Sequence, residues 1–242
     1  MAEKTLEQMK EAVAEIRAKM AAAAREAGRD PAAVQLCAAC KTRTAQTVAA
    51  SAALPIDVFG ENHVQELCAN YDAGAYCGKP SHFIGHLQTN KVRQVVGKVS
   101  LIQSVDSERL LAAIDREAAR QGIVQDILLE VNIGEEASKS GFAAEDILPL
   151  MEKIGEFSNI CIKGLMAIPP ISHISGENQK FFQKMFHLSV DIRQKKYDNV
   201  KVDCLSMGMS GDFADAIASG STMVRVGTAI FGARDYARDS SK

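Results

Sequence analysis

A chain of 242 residues, 47% of them hydrophobic, can bury one large core, and single α/β barrels of this size are common. Its 28 basic and 30 acidic residues leave a net charge of -2, so no overall positive field draws it to nucleic acid or to an anionic membrane. No apolar run approaches the roughly 20 residues that cross a bilayer; Glu3, Glu7 and Glu11 make the N-terminus unlike a transit peptide, and the six scattered cysteines read as reduced core thiols of a cytoplasmic protein.

Residues 5–28 bring Leu6, Met9, Val13, Ile16 and Met20 onto one face of an amphipathic helix, with Thr5 and Gln8 as a capping box and Gly28 with Pro31 as a stop. Beyond it, short apolar runs alternate with helical stretches. The predicted strands are 34–39, 58–60, 82–85, 101–103, 127–132, 161–165, 202–205 and 223–226. Stretches such as 107–120 and 179–194 are helices long enough to return the chain to a parallel neighbour. Eight such units favour a closed (β/α)8 TIM barrel spanning 1–242 as one domain, with 1–30 as an extra N-terminal helix packed on it. An open doubly wound sheet is the alternative, but the first strand-to-helix turn carries no G-x-G-x-x-G.

The first strand ends in "CAACKTRT", residues 37–44. Strand alternation puts Cys37, Ala39 and Lys41 on one face and Leu36, Ala38 and Cys40 on the other, so the two cysteines are core residues and not a redox or metal pair. Lys41 either reaches water at the rim or, in partly desolvated surroundings, serves as a nucleophile that forms an imine with an aldehyde.

Two late turns suggest what such a lysine would face. "LSMGMSGDFADAIASG", residues 205–220, runs from a strand through a Ser/Gly turn into a helix that Ser210 is placed to cap, and "MVRVGTAIFGAR", residues 223–234, repeats this with Gly227 and Thr228 opening the helix. Glycine admits close backbone approach, hydroxyls add donors and helix N-termini attract anions, so the turns after the seventh and eighth strands are expected to form a phosphate cup. Arg225 shares a strand face with Gly227 and points into the same space. Other candidates read as ordinary: His82 and His86 as packing or rim polarity, Glu135 and Glu136 as loop charges, and Lys195 and Lys196 as too short a basic run for nucleic acid. No metal site is expected.

"CKTR" (40–43), "FGENHVQE" (59–66), "HFIGHLQTNK" (82–91), "SKSGF" (138–142), "GLMAIPP" (164–170) and the segment 205–234 resemble, in order and over nearly the whole chain, the pyridoxal 5'-phosphate (PLP) homeostasis proteins, formerly grouped as alanine-racemase-like N-terminal-domain proteins. The resemblance implies an alanine-racemase N-terminal-domain-like barrel holding PLP as an internal aldimine (Schiff base) on Lys41. It makes Arg225 the partner of the pyridine nitrogen, Ser210, Gly227 and Thr228 the phosphate contacts, Asn62 a residue at the cofactor edge, and Met166 and Ser206 neighbours of it. Cys40, where serine or threonine commonly precedes the lysine, and Ser81, where an aromatic often precedes "HFIG", depart from the family pattern.

Arginine cannot be deprotonated to leave the pyridine nitrogen charged, which weakens the ring as an electron sink. Racemases of the resembled fold add a tyrosine from a second domain, which the tyrosines at 71, 76, 197 and 236 have no such domain to supply. The expectation is therefore a monomer that carries PLP with little or no catalysis and hands it to apo-enzymes, with Lys139 a candidate second amine. A low-activity amino-acid racemase and a sugar-phosphate aldolase or isomerase are the alternatives.

Overall fold

The computed structural model describes residues 4–232 except 137, 138, 173, 175 and 196; Tyr236 lies outside the described residues. Eight parallel strands close in sequence order into a barrel: β1 (Gln35–Ala39), β2 (Val58–Glu61), β3 (Ser81–Phe83), β4 (Leu101–Val105), β5 (Gln125–Val131), β6 (Ile160–Ala167), β7 (Val200–Ser206) and β8 (Met223–Val226). Closure is made by β1, which pairs with β2 on one side and β8 on the other, with Cys37 opposite both Val58 and Arg225.

All eight predicted strands are present, and the differences lie at their ends. β7 begins at Val200 because exposed Lys201 and Asp203 alternate with buried Val202 and half-buried Val200 and Cys204, a pattern hidden from a search for apolar runs. β6 likewise starts at Ile160 and runs through Lys163, with a register shift at Gly164. β4 continues past Gln103 to Val105. β3 stops at Phe83 instead of Gly85, whose Cα lies so close to the Asn62 carbonyl that no Cβ fits there.

The crossovers after β1, β2, β4, β5, β6, β7 and β8 are α2 (Ala45–Ser51), α3 (Val64–Asp72), α4 (Glu108–Gln121), α5 (Ile147–Lys153), α6 (Gln179–Gln194), α7 (Phe213–Ala218) and α8 (Thr228–Phe231); after β3 a 3-10 segment (Thr89–Gln94) takes that place. α4 opens on Ser107, whose Oγ accepts the Leu110 N–H, and ends on left-handed Gly122, a start and stop written in the sequence.

The extra helix α1 (Leu6–Glu26) starts with the expected box: Thr5 Oγ1 accepts the Gln8 N–H at 3.3 Å and Gln8 Oε1 accepts the Thr5 N–H at 2.9 Å. Its buried stripe of Met9, Val13, Ile16 and Met20 packs on α2, α7 and α8. Arg17 Nη2 donates to Asp57 Oδ2 (2.6 Å), which also accepts the Leu36 N–H, so α1 is tied to the bottom of β1 and β2.

Inside the barrel the side chains form layers. The lower one is apolar, with Cys37, Val58 and Met223 on one side and Leu101 and Leu128 on the other. Above it comes a polar layer: Gln103, Ser206 and Arg225 are all nearly inaccessible to solvent. Cys40 belongs instead to the outer core between strands and helices, as the alternation around "CAAC" requires. Burial pushes the Cys37 thiol up to about 12 and Cys40 well above its ordinary value, so both are inert thiols.

Candidate functional site

At the C-terminal ends of β1, β2, β7 and β8 a cavity of about 210 Å³ opens. Lys41, Asn62, Ser210, Arg225, Gly227 and Thr228 all line it, together with Arg43. Its described lining holds three cationic side chains, Lys41, Arg43 and Arg225, and no carboxylate. That composition suits an anion.

Lys41 sits one residue beyond the end of the first strand's apolar run, half-buried, and its amine makes no hydrogen bond or ion pair with any described residue. The next residue has a constrained backbone. Thr42 adopts φ +65, a left-handed conformation that costs a non-glycine residue about 1–2 kcal/mol. Its N–H donates to Glu66 Oε2 at 3.1 Å, so the first turn of α3 offsets part of that cost and fixes the direction in which Lys41 leaves the strand. Arg43 is buried, with Nη2 donating to the Gly232 carbonyl at 2.8 Å and its guanidinium 5.8 Å from the centre of the Phe231 ring.

The Ser/Gly turn departs from expectation in one respect. Asp212, and not Ser210, stands at the N-cap of α7, and its Oδ1 accepts the Met209 N–H at 2.8 Å. The physical reason is reach: the helix starts at Phe213, two residues later than a Ser210 cap needs, and the aspartate closes the 209–212 turn on itself. Ser210 is thereby left exposed at the cavity. Gly208 makes the turn possible at φ +93, where a Cβ would come 2.6 Å from that of Ala216. The backbone N–H groups of Ser210, Gly211, Gly227 and Thr228 have no acceptor among the described residues and are free to meet an anion.

Arg225 is 5% exposed. Its Nη1 donates to the Ser206 carbonyl (2.8 Å) and Ser206 Oγ (2.6 Å), and Nη2 to the Ala167 carbonyl (3.0 Å). Burial lowers its proton affinity from a very high starting value, and arginine remains charged.

Ser206 therefore stands behind Arg225 and does not line the cavity, and Met166, paired across the sheet with Ser206, packs among Leu101 and Leu128. Lys139 is engaged elsewhere: it pairs with Glu136 and donates to the Pro169 carbonyl at 3.1 Å. Tyr71 is on an exposed face of α3, Tyr76 donates to buried Glu61, and Tyr197 bonds Glu152; no described tyrosine lines the cavity. His82 is buried, whereas His86 is exposed beside Asp106, and no group of metal-ligating side chains exists among the described residues. Glu135 pairs with Lys184 on the surface.

Several groups here were missed in the sequence. Glu61, directly before Asn62, is fully buried on the outward face of β2; Oε1 accepts from Asn70 Nδ2 (2.7 Å) and the Tyr76 hydroxyl (3.0 Å), Oε2 has no hydrogen-bond partner among the described residues, and burial pushes the carboxyl up to about 7. Glu130 is also raised to about 7, by burial and then by the Asp106 charge, against the opposing pull of Arg225. Gln103 joins Ser206 to His82 across the interior. A polar residue in an apolar strand, as in "LIQSV", was the available signal for the last of these.

A profile of the family described as "Alanine racemase, N-terminal domain" matches residues 12–235. The chain is 41% identical over 214 residues to a "Pyridoxal phosphate homeostasis protein" of Aquifex aeolicus, covering 88% of this chain and 93% of that one. It is 37% identical to the protein of the same name from Pseudomonas aeruginosa, covering 96% and 98%. Among solved structures, PipY of Synechococcus elongatus with PLP bound superposes with a TM-score of 0.79 at 30% identity, over 93% of this chain and all of that one. Agreement of this order along almost the entire length of both partners means that the chain belongs to the family of pyridoxal phosphate homeostasis proteins.

Proposed function

We propose that this protein holds PLP in the cavity over β1 and β8, bonded to Lys41, and takes part in intracellular PLP homeostasis in the cytoplasm as a monomeric carrier with little or no catalysis. The observation that carries the reading is the Lys41 amine, without a partner among the described residues, at a cavity whose described lining is cationic and free of carboxylates. The residues fit the group. Bound PLP supplies a reactive aldehyde on an anionic, flat ring; the lysine amine adds to that carbon and one water leaves as the C=N bond forms. Ser210, Thr228 and the free N–H groups of 210, 211, 227 and 228 are positioned to take the phosphate, and Asn62 the edge of the ring.

Arg225 is the group for the ring nitrogen. A guanidinium donates a hydrogen bond and keeps its own proton, so the nitrogen stays uncharged and the ring withdraws electrons poorly. No described tyrosine reaches the cavity to move a second proton, which further favours carriage over racemisation. The lysine bond is reversible by water or by another amine, and that reversibility is what delivery to apo-enzymes requires. The PLP-bound PipY relative supports the cofactor assignment.

Titrating the purified protein with PLP should raise a visible absorption band that saturates at one equivalent and is absent in Lys41→Ala. A protein that stays colourless would reject the reading and favour a sugar-phosphate enzyme that uses the lysine and the cup directly.

A further inference from the structure

Four buried side chains from β3, β4, β7 and β8 form one continuous hydrogen-bonded chain through the barrel: His82, Gln103, Ser206 and Arg225, none more than 6% exposed. Its polarity follows from the guanidinium. Arg225 can only donate, so Ser206 Oγ accepts from Nη1 at 2.6 Å and must direct its single proton elsewhere. That proton goes to Gln103 Oε1 at 2.7 Å. With its carbonyl oxygen committed, the Gln103 amide turns Nε2 toward His82 Nδ1 at 2.8 Å and Met223 Sδ at 3.1 Å. An amide nitrogen only donates, so Nδ1 must be the bare nitrogen and His82 a neutral imidazole carrying its proton on Nε2.

The chain matters because of what it leaves over. The bonds to Ser206 and Ala167 use both protons of Nη1 and one of Nη2, so the Nε proton and the second Nη2 proton of Arg225 have no described acceptor, and Arg225 lines the cavity. Without an acceptor for its hydroxyl proton, the Ser206 side chain would turn to find one, and Nη1 would keep only its bond to the Ser206 carbonyl.

We infer that Gln103 is the positioning residue for Arg225: its amide fixes the Ser206 hydroxyl, which fixes the guanidinium so that its leftover N–H meets the ring nitrogen of bound PLP. This rests on the PLP reading above. Gln103 itself touches neither the cavity nor the cofactor. Its effect passes through Ser206.

Gln103→Leu keeps the volume and removes all three of its bonds, and should weaken PLP binding about tenfold, the scale of one hydrogen bond to a charged group, while shifting the absorption maximum of the lysine-bound cofactor. Gln103→Glu supplies an acceptor for Ser206 and one proton to share with His82, and should restore both the affinity and the spectrum. Ser206→Ala, which cuts the chain one link nearer Arg225, should reproduce the leucine phenotype and serves if the leucine variant does not fold. Nitrogen-15 shifts of His82 in the cofactor-free wild type at pH 7 should show a bare Nδ1 and a protonated Nε2. Wild-type affinity and spectrum in Gln103→Leu or Ser206→Ala, or a His82 proton on Nδ1, would overturn the inference. A wild type that never develops a visible band would overturn the PLP reading instead, and the nitrogen shifts would still decide the state of the chain.

Discussion

Replacing Glu61 with glutamine should change how stability depends on pH. The carboxyl keeps its proton in the fold up to about 7, against an ordinary value of 4.5, because burial penalises the charged form more than Asn70 and Tyr76 help it. Below pH 4.5 both the folded and the unfolded chain are protonated there, and the group contributes nothing to the pH dependence. Between 4.5 and 7 the unfolded chain has lost a proton that the folded chain retains, so rising pH favours unfolding; above 7 the penalty is constant. A tenfold change in proton affinity is about 1.4 kcal/mol, so the full penalty is about 3 kcal/mol, with no discount for solvent because the side chain is fully buried.

Other groups titrate over the same range. His82, pushed down to about 4 by burial, adds stability as pH rises from there to 6.5, while Glu130 acts in the same direction as Glu61. The difference between wild type and Glu61→Gln isolates the one residue. Urea unfolding at pH 5, 6, 7 and 8 should show the variant gaining on wild type by about 2–3 kcal/mol from the lowest pH to the highest. A difference that stays constant over that range would refute the argument.

Glu66→Ala removes the acceptor for the left-handed Thr42 N–H and should cost about 1–2 kcal/mol in urea unfolding and weaken PLP binding about tenfold, the scale of a hydrogen bond to a charged group; unfolding and equilibrium titration of both proteins measure it. Gly85→Ala drives a Cβ into the Asn62 backbone carbonyl, which cannot swing aside like a side chain, and should cost about 1–3 kcal/mol in urea unfolding while also disturbing Asn62 at the cavity. Thr5→Ala breaks the capping box of α1 and should cost about 1 kcal/mol without altering PLP affinity, because α1 packs on the outside of the barrel.

The architecture was legible because each strand carries at least a short apolar core and each long crossover its own start and stop signals, as Ser107 and Gly122 show for α4. What blurred the ends was charge on one strand face, at Lys163, Lys201 and Asp203, where alternation replaces a continuous apolar run. In the site, strand parity was enough to place Lys41 with Ala39 and Arg225 with Gly227 at one cavity. Parity could not identify the cap of α7, since Ser210 and Asp212 are both good capping residues and the choice depends on where the turn closes. Nor could it find Gln103, Glu61 or Glu66, because their roles arise from partners 9 to 103 residues away or on a neighbouring element. Ser206 and Met166 were placed in the right part of the barrel but beside the cavity instead of on its surface.

The most direct measurement is chemical. Reducing the PLP-loaded protein with borohydride makes the lysine bond permanent, and peptide mapping then locates it. The account predicts one modified residue, Lys41, and no stable label in Lys41→Ala. A label on Lys139 or any other lysine of the wild-type protein would contradict it.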